Sequence, residues 1–140
     1  MSDRDLLLKV FDYADRLIST KDEWHKGPYL ALDNKNHSIA PENMCAAKWS
    51  IKGAIMAAYK WLPLEEQAAI FTRKIPIYQI LDLLCSRVVT EKLKKESKSK
   101  IKNIIQIGSV AFNEMPETTF EDIKLVFSLV KQDKIGYEIF

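Results

Sequence analysis

Several residue types are scarce in this chain, and each scarcity removes a class of protein. Its 140 residues include only 4 glycines, 2 cysteines and 2 histidines. The cysteines, Cys45 and Cys85, form no C-x-x-C pair, so they fit free buried thiols better than a disulfide framework or a zinc site. Lys and Arg (21) nearly balance Asp and Glu (19), and this net charge of +2 does not by itself indicate a nucleic-acid partner.

Long apolar runs, targeting signals and cofactor motifs are also missing. No stretch approaches the roughly 18 apolar residues of a membrane span, and the start MSDRDLLLKVF lacks the basic, long apolar pattern of a signal peptide. His25 and His37 have no further ligands at metal-site spacing, and Gly27 belongs to no phosphate-binding loop. We therefore expect a cytoplasmic protein with no metal, no cofactor and no membrane contact.

The composition that remains, 47% hydrophobic and 29% charged, is that of an ordinary globular protein. A chain of this length can bury its own core, so we predict one helical domain over 1–140. Helical periodicity dominates it. A first helix over about 3–19 begins with the pair Ser2 and Asp5, which is typical of a capping box.

The stretch after this helix predicts a small β-hairpin. Residues 29–32 and 37–39 would be its strands, joined by turn residues 33–36. A helix over about 41–61 would follow, with Pro41 in its first turn. It carries a stripe of small residues that would let another segment approach its backbone closely: Ala46, Ser50, Gly53 and Ala57.

The second half of the chain predicts three or four more helices. Pro63 and Pro76 would open two of them, 100–115 has the spacing of another, and Thr119 with Asp122 would cap the last. The fold class is thus mostly α, with five or six helices and one hairpin. Residues 91–102 contain six lysines but neither arginine nor aromatic residues, which favours a mobile, exposed connection over a nucleic-acid site.

The aromatic segment W-H-K-G-P-Y at 24–29 is the strongest candidate for a site. If the 24–33 loop folds onto the following helix, its aromatic and polar groups could line a concave surface for a ligand. The alternative is that these aromatics plug the loop against the core. The predicted binding residues combine this loop with a turn near the end of the chain: Trp24, Lys26, Tyr29, Asp33, Trp49, Asn113 and Glu114.

These residues also carry a resemblance to a known family. The chain resembles short bacterial and phage proteins that share a domain of unknown function, with motifs W-x-[QK]-G, A-x-D, A-x-x-W-C-x-x-G-A and W-N-D-x-P-x-x-T-x-x-[ED]-V. The matching positions are Trp24, Lys26, Gly27, Ala31, Asp33, Ala46, Ala47, Trp49, Ser50, Gly53, Ala54, Phe112, Asn113, Glu114, Pro116, Thr118, Thr119, Asp122 and Ile123. Ser50 replaces the family's usual cysteine and Glu114 its usual aspartate. The resemblance implies a common fold and a bacterial or phage origin, and it implies no reaction.

Two functions remain open at this point. The first is a non-enzymatic binding module that engages a protein or small ligand, of unknown identity, through the 24–33 loop. The second is a small hydrolase or transferase that uses polar residues of this loop with Asn113 and Glu114, although no catalytic motif supports it. We also predict that the 24–33 loop and the 113–119 turn lie against one another, with their polar side chains hydrogen-bonded there.

Overall fold

The computed structural model describes residues 1–97 and 105–132. Over these residues the chain forms six α-helices and a two-stranded antiparallel sheet, which confirms the predicted mostly helical fold with a small hairpin after the first helix. The elements are α1 (Asp3–Leu17), a 3₁₀ turn (Lys21–Glu23), β1 (Ala31–Leu32), β2 (Lys48–Trp49), α2 (Ile51–Lys60), α3 (Leu64–Thr72), α4 (Ile77–Ser97), α5 (Ser109–Glu114) and α6 (Phe120–Val130).

Both predicted capping boxes are present. The Ser2 hydroxyl accepts a hydrogen bond from the Asp5 amide (3.1 Å), and the Asp5 carboxylate accepts one from the Ser2 amide (3.2 Å). Thr119 and Asp122 make the same exchange at the start of α6. Each box satisfies two amides that have no partner within their own helix, which fixes where α1 and α6 begin.

A single core lies between α1, α2, α4 and α6. Helix α1 packs along α2 and α6, and α4 packs against α5 and α6. Phe11, Phe112 and Phe127 are fully buried at the centre. Burying each ring stabilises the fold by about 1.5–3 kcal/mol, so this core holds the ends of α2 and α5 in fixed relative positions.

The β-hairpin has a different second strand from the one predicted. Ala31 pairs with Trp49 and Leu32 with Lys48. The predicted strand at 37–39 makes only an isolated bridge between Leu32 and Ser38. A ladder through 48–49 is favoured because it continues directly into α2, whose burial supports two strands that are too short to be stable alone.

Helix α2 begins ten residues later than the predicted start at 41. Residues 41–45 form turns, because the Asn43 side chain accepts a hydrogen bond from the Cys45 amide (2.8 Å) and so competes with helix formation. Two indole N–H groups, of Trp49 and Trp61, bind the carbonyls of Pro41 and Glu42 at 3.0 and 2.9 Å. These bonds tie the turns to both ends of α2.

The segment before α5 is also not the predicted helix over 100–115. Its residues 100–104 lie outside the described part, and 105–108 run along α4 in an irregular conformation. The hydroxyls of Ser86 and Thr90 accept hydrogen bonds from the amides of Ile107 and Ile105, both at 2.9 Å. These lateral bonds replace helical ones, so α5 spans only Ser109–Glu114.

The lysine-rich segment is partly helical, which corrects the prediction of a mobile connection over 91–102. Helix α4 continues to Ser97, and 98–102 lie outside the described residues. Lys92 is half-buried, and its ammonium group binds the Asp122 carboxylate (2.9 Å) and the Glu117 carbonyl (2.6 Å). Helix propensity and this anchor on α6 extend α4 further than its charge pattern indicated.

Candidate functional site

Asn113 is the centre of the predicted site, and it is almost completely buried, with 1% of its surface exposed. Its Oδ1 accepts hydrogen bonds from the Trp24 indole N–H (2.8 Å) and from the Ile51 amide (3.0 Å). Its Nδ2 donates to the His25 carbonyl (3.0 Å). A single amide side chain therefore joins α5, the 24–33 loop and the start of α2.

Asn113 supplies a hydrogen-bond acceptor that the start of α2 lacks. The first amides of α2 have no partner within the helix, and the Ser50 side chain satisfies only that of Gly53 (3.0 Å). Asn113 satisfies the Ile51 amide from a segment 62 residues away in the chain. An amide suits this place because its oxygen accepts and its nitrogen donates without adding a buried charge.

Lys26 connects the loop to the 113–119 turn a second time. Its ammonium group donates to the carbonyls of Pro116 (2.9 Å) and Thr118 (2.7 Å), and it lies 5.7 Å from the centre of the Trp24 ring. Thr118 is in turn buried, and its hydroxyl donates to the Phe112 carbonyl (2.7 Å). The predicted contact between loop and turn, with hydrogen-bonded polar groups, is confirmed.

Close backbone packing holds the other end of the loop. A Cβ atom added at Gly53 would lie 1.9 Å from the Leu30 carbonyl oxygen, so only glycine fits there. The same oxygen accepts a hydrogen bond from the Ser50 amide (3.0 Å). The predicted close approach is confirmed at Gly53 and at Ser50, whose hydroxyl lies 3.4 Å from the same oxygen, and Ala57 is buried. Ala46 lies before β2 and outside the helix, which corrects that part of the prediction.

His25 is the least expected member of the site. Its Nε2 is enclosed and has no hydrogen-bond partner among the described residues, and its ring stacks on Tyr29 with centroids 6.1 Å apart. Burial lowers the pKa of His25 below its ordinary value of 6.5, nearby Lys48 lowers it further, and Glu114 partly opposes both. The imidazole is therefore neutral at physiological pH.

The side chains of three predicted binding residues do not join the Asn113 cluster, although the Trp49 carbonyl accepts a hydrogen bond from the His25 amide (2.9 Å). Asp33 serves its own turn, where one carboxylate oxygen accepts from the Lys35 and His37 amides, both at 2.9 Å. These hydrogen bonds lower the pKa of Asp33. Trp49 is buried and donates to the Pro41 carbonyl, and Glu114 is exposed at the end of α5. Tyr29, by contrast, belongs to the loop but is 52% exposed.

The space between the loop and the helix ends is small. A cavity of about 10 Å³ lies next to Tyr29, Ser50, Lys52, Val110 and Asn113. This volume suits about one water molecule, whereas ligand pockets occupy several hundred Å³. The contact between loop and turn is therefore solid at its centre, as in the alternative in which the aromatics plug the loop against the core.

The two cysteines differ in environment. Cys85 is fully buried on α4, and burial, followed by the charge of Asp82, raises the pKa of its thiol well above the ordinary value. A thiol that stays protonated is a poor nucleophile, so Cys85 fits a packing role. Cys45 is exposed in the turns before α2, which corrects the predictions that it is buried and that it lies in a helix.

The described residues show neither a metal-binding cluster nor a membrane-spanning helix. Within 1–97 and 105–132, no group of three or more His, Cys, Asp or Glu residues is arranged to hold a metal ion. In the same ranges, no helix combines the length and the apolar character needed to cross a bilayer.

The partners that complete the site could not be found from side-chain patterns. The His25 carbonyl and the Ile51 amide are backbone groups, which leave no signal in a sequence. The stacking of His25 on Tyr29 has a weak signal in the W-H-K-G-P-Y segment, since the Gly-Pro pair turns the chain between the two rings.

Comparison with known proteins gives no family and no structural relative. No protein-family model matches the chain, and neither a curated protein nor a solved structure matches it. Function therefore has to be inferred from the arrangement of the side chains.

Proposed function

We propose that this chain is a non-enzymatic binding module, a small accessory protein of bacterial or phage origin, whose 24–33 loop presents Tyr29 to a protein partner. The proposal rests on one observation: the Tyr29 side chain is half-exposed on a loop that two of its other side chains fix to the rest of the protein by hydrogen bonds. Tyr29 is 52% exposed and stacked on His25, while Trp24 and Lys26 on the same loop are bonded inward.

Rigidity of this kind favours binding. Ordering a flexible loop costs free energy on association, and a loop already held by Asn113 and Lys26 avoids much of that cost. Tyrosine is enriched at protein interfaces because its ring offers apolar area and its hydroxyl offers a hydrogen bond. Val110, which is 47% exposed and lines the same small cavity, extends the apolar surface next to Tyr29.

The size of the cavity favours a protein over a small ligand. A volume of about 10 Å³ cannot enclose a metabolite, which usually buries most of its surface in its pocket. A protein partner needs no deep pocket, because a rigid aromatic side chain on an almost flat surface can act as an anchor.

The alternative of a small hydrolase or transferase has weaker support. It assigns the chemistry to polar residues of the 24–33 loop with Asn113 and Glu114, yet the Asn113 oxygen already accepts two hydrogen bonds and the residue is 1% exposed. On the loop, Lys26 is bonded to two carbonyls and Asp33 to the amides of its own turn. His25, the nearest imidazole along the loop, has its Nε2 enclosed and away from solvent. A general base must reach the proton that it removes, and this arrangement offers no such access.

Photo-crosslinking in the native host tests the proposal. A benzoylphenylalanine placed at position 29 should crosslink one protein reproducibly, and an excess of wild-type chain, but not of Tyr29→Ser, should compete for it. The matched control is position 13, because Tyr13 is also exposed and in contact with another ring, that of Trp61. The same crosslinks at both positions, or none at position 29, would contradict the proposal.

A further inference from the structure

Helix α3 carries an apolar stripe that faces solvent. Leu64, Ala68 and Phe71 are spaced i, i+4 and i+7, so they lie on one face of the helix. All three are exposed, and the exposed fractions of Leu64 and Phe71 are 82% and 81%. Single exposed apolar residues are common, but a row of them on one helix face is typical of a contact surface.

A groove continues this stripe. It has a volume of about 400 Å³, and its walls come from α2, α3, α4 and the turn before α4: Tyr59, Ile70, Phe71, Ile75, Ile77 and Tyr78. Phe71 belongs to both the stripe and the groove, so the two form one surface, here called the α3 surface. A recess of this size can accept one or two large apolar side chains of a partner.

The charges at the groove of the α3 surface have one sign. Lys74 lines the groove, and the ammonium group of Lys52 lies 5.7 Å from the centre of the Tyr78 ring. Neither lysine forms an ion pair within the described residues, and no carboxylate lines the groove. The acids of α3, Glu65 and Glu66, lie in its first turn, away from the groove, and Glu66 is paired with Lys9.

The charges and the shape of the α3 surface favour one of three possible occupants, which are a second copy of the chain, a lipid surface and a segment of another protein. In a twofold dimer the same patch would face itself, which would bring Lys74 of each copy toward a groove without carboxylates. A lipid surface would contact the exposed stripe but would leave the recessed groove between three helices unfilled. A protein segment with both apolar and acidic side chains satisfies the groove and the lysines together.

We propose that the α3 surface binds a segment of a partner protein that places large apolar side chains in the groove and Asp or Glu beside Lys52 and Lys74. This contact is distinct from the one proposed for Tyr29. Lys52 lies near both surfaces, but Phe71 and Lys74, which the test of the α3 surface changes, have no part in the Tyr29 proposal. The two proposals can therefore fail independently.

A peptide-display selection tests this inference directly. The full-length chain is immobilised, a library of random 12-residue peptides is selected on it, and the dissociation constants of recovered peptides are measured by fluorescence anisotropy. We expect recovered sequences to contain two or more large apolar residues and a net negative charge. Phe71→Glu should weaken their binding at least tenfold, and Lys74→Glu should weaken it by about tenfold.

Matched controls separate binding from folding. Leu125→Glu changes an apolar residue of α6 that is 44% exposed, and it should leave peptide binding unchanged. Because Phe71 is 81% exposed, Phe71→Glu and Phe71→Ser should keep the wild-type circular dichroism and melting temperature.

Four results would overturn the inference. The selection could recover no binding peptide, peptides with a net positive charge, or peptides that bind Phe71→Glu as well as they bind the wild type. The fourth result would be evidence that something other than a protein partner occupies the same surface. A concentration-dependent dimer lost in Phe71→Glu would assign the surface to a second copy. Binding to phosphatidylserine vesicles lost in Phe71→Glu would assign it to a membrane.

Discussion

Replacing Gly53 by alanine should destabilise the protein, although alanine is the better helix former. In an unconstrained helix interior, Gly→Ala gains about 1 kcal/mol. Here the new Cβ would lie 1.9 Å from the Leu30 carbonyl oxygen, whereas ordinary contacts begin at 3.4 Å, so the two atoms must separate by about 1.5 Å. The neighbouring atom is backbone and cannot rotate away.

The magnitude follows from what this displacement disturbs. Overpacking in a close contact costs about 1–3 kcal/mol, and moving Leu30 weakens its hydrogen bond with the Ser50 amide (3.0 Å), which is worth about 1 kcal/mol. After subtracting the gain in helix propensity, we expect a net loss of about 1–3 kcal/mol. The larger Gly53→Leu should lose at least as much.

Urea denaturation followed by circular dichroism measures this loss as a lower midpoint at an unchanged slope. Gly108→Ala is the matched control, because a Cβ there meets nothing within 4 Å, and its effect should stay within about 1 kcal/mol. If Gly53→Ala is as stable as the wild type or more stable, the close contact between α2 and the 24–33 loop does not exist.

Three further perturbations test other parts of the structure. Asn113→Ala should reduce the free energy of unfolding by about 3–5 kcal/mol in urea melts, because it leaves buried polar groups without partners; a loss below about 1 kcal/mol would refute this. Because the pKa of His25 is lowered in the folded protein, the unfolded chain binds the proton more readily. The contribution of His25 to the free energy of unfolding should therefore be complete above pH 6.5 and should be lost as the pH falls below 6.5 toward the pKa of the folded state. Melts from pH 8 to 5 should show a weaker dependence in His25→Gln than in His37→Gln. Charge reversal of Lys94 and Lys95 should change the free energy of unfolding by no more than about 1 kcal/mol. The wild-type chain should show no salt-dependent DNA binding in a gel shift, and DNA binding that the charge reversal abolishes would contradict this.

The sequence predicted the structure correctly where the determining residues are close together in the chain and no distant group competes for their hydrogen bonds. Both capping boxes and the openings of two helices, α3 after Pro63 and α4 after Pro76, depend on residues close together in the chain, and all are present. The glycine at 53 was likewise informative, since a small-residue stripe in a helix indicates a close neighbour. These features need no knowledge of distant segments.

The failures occur where distant groups compete with local ones. The start of α2 was predicted at Pro41, but the indole N–H groups of Trp49 and Trp61 bind carbonyls in 41–42 and hold that segment in turns. Likewise, Ser86 of α4 bonds to the Ile107 amide and prevents a longer α5. No periodicity in 41–50 or 100–115 could reveal such partners.

The candidate site shows the same division. The contact between the 24–33 loop and the 113–119 turn was predicted from polar residues that a pure core would not select, and it is present. The choice between a pocket and a plug depended on a cavity volume, which sequence patterns do not contain. The exposed stripe of α3 was not predicted. Apolar residues at i, i+4, i+7 spacing do not show by themselves whether a helix face is buried or exposed.

The central claim is that the 24–33 loop is fixed to the start of α2 through Asn113 and does not open separately. Hydrogen exchange by NMR, read at the Trp24 indole N–H and the Ile51 amide, tests it most directly, because both groups donate to the same Asn113 oxygen. We predict that both exchange slowly, with similar opening free energies, and that both become faster in Asn113→Ala. Fast exchange at Trp24 while Ile51 stays protected would mean that the loop opens by itself, and it would contradict the account.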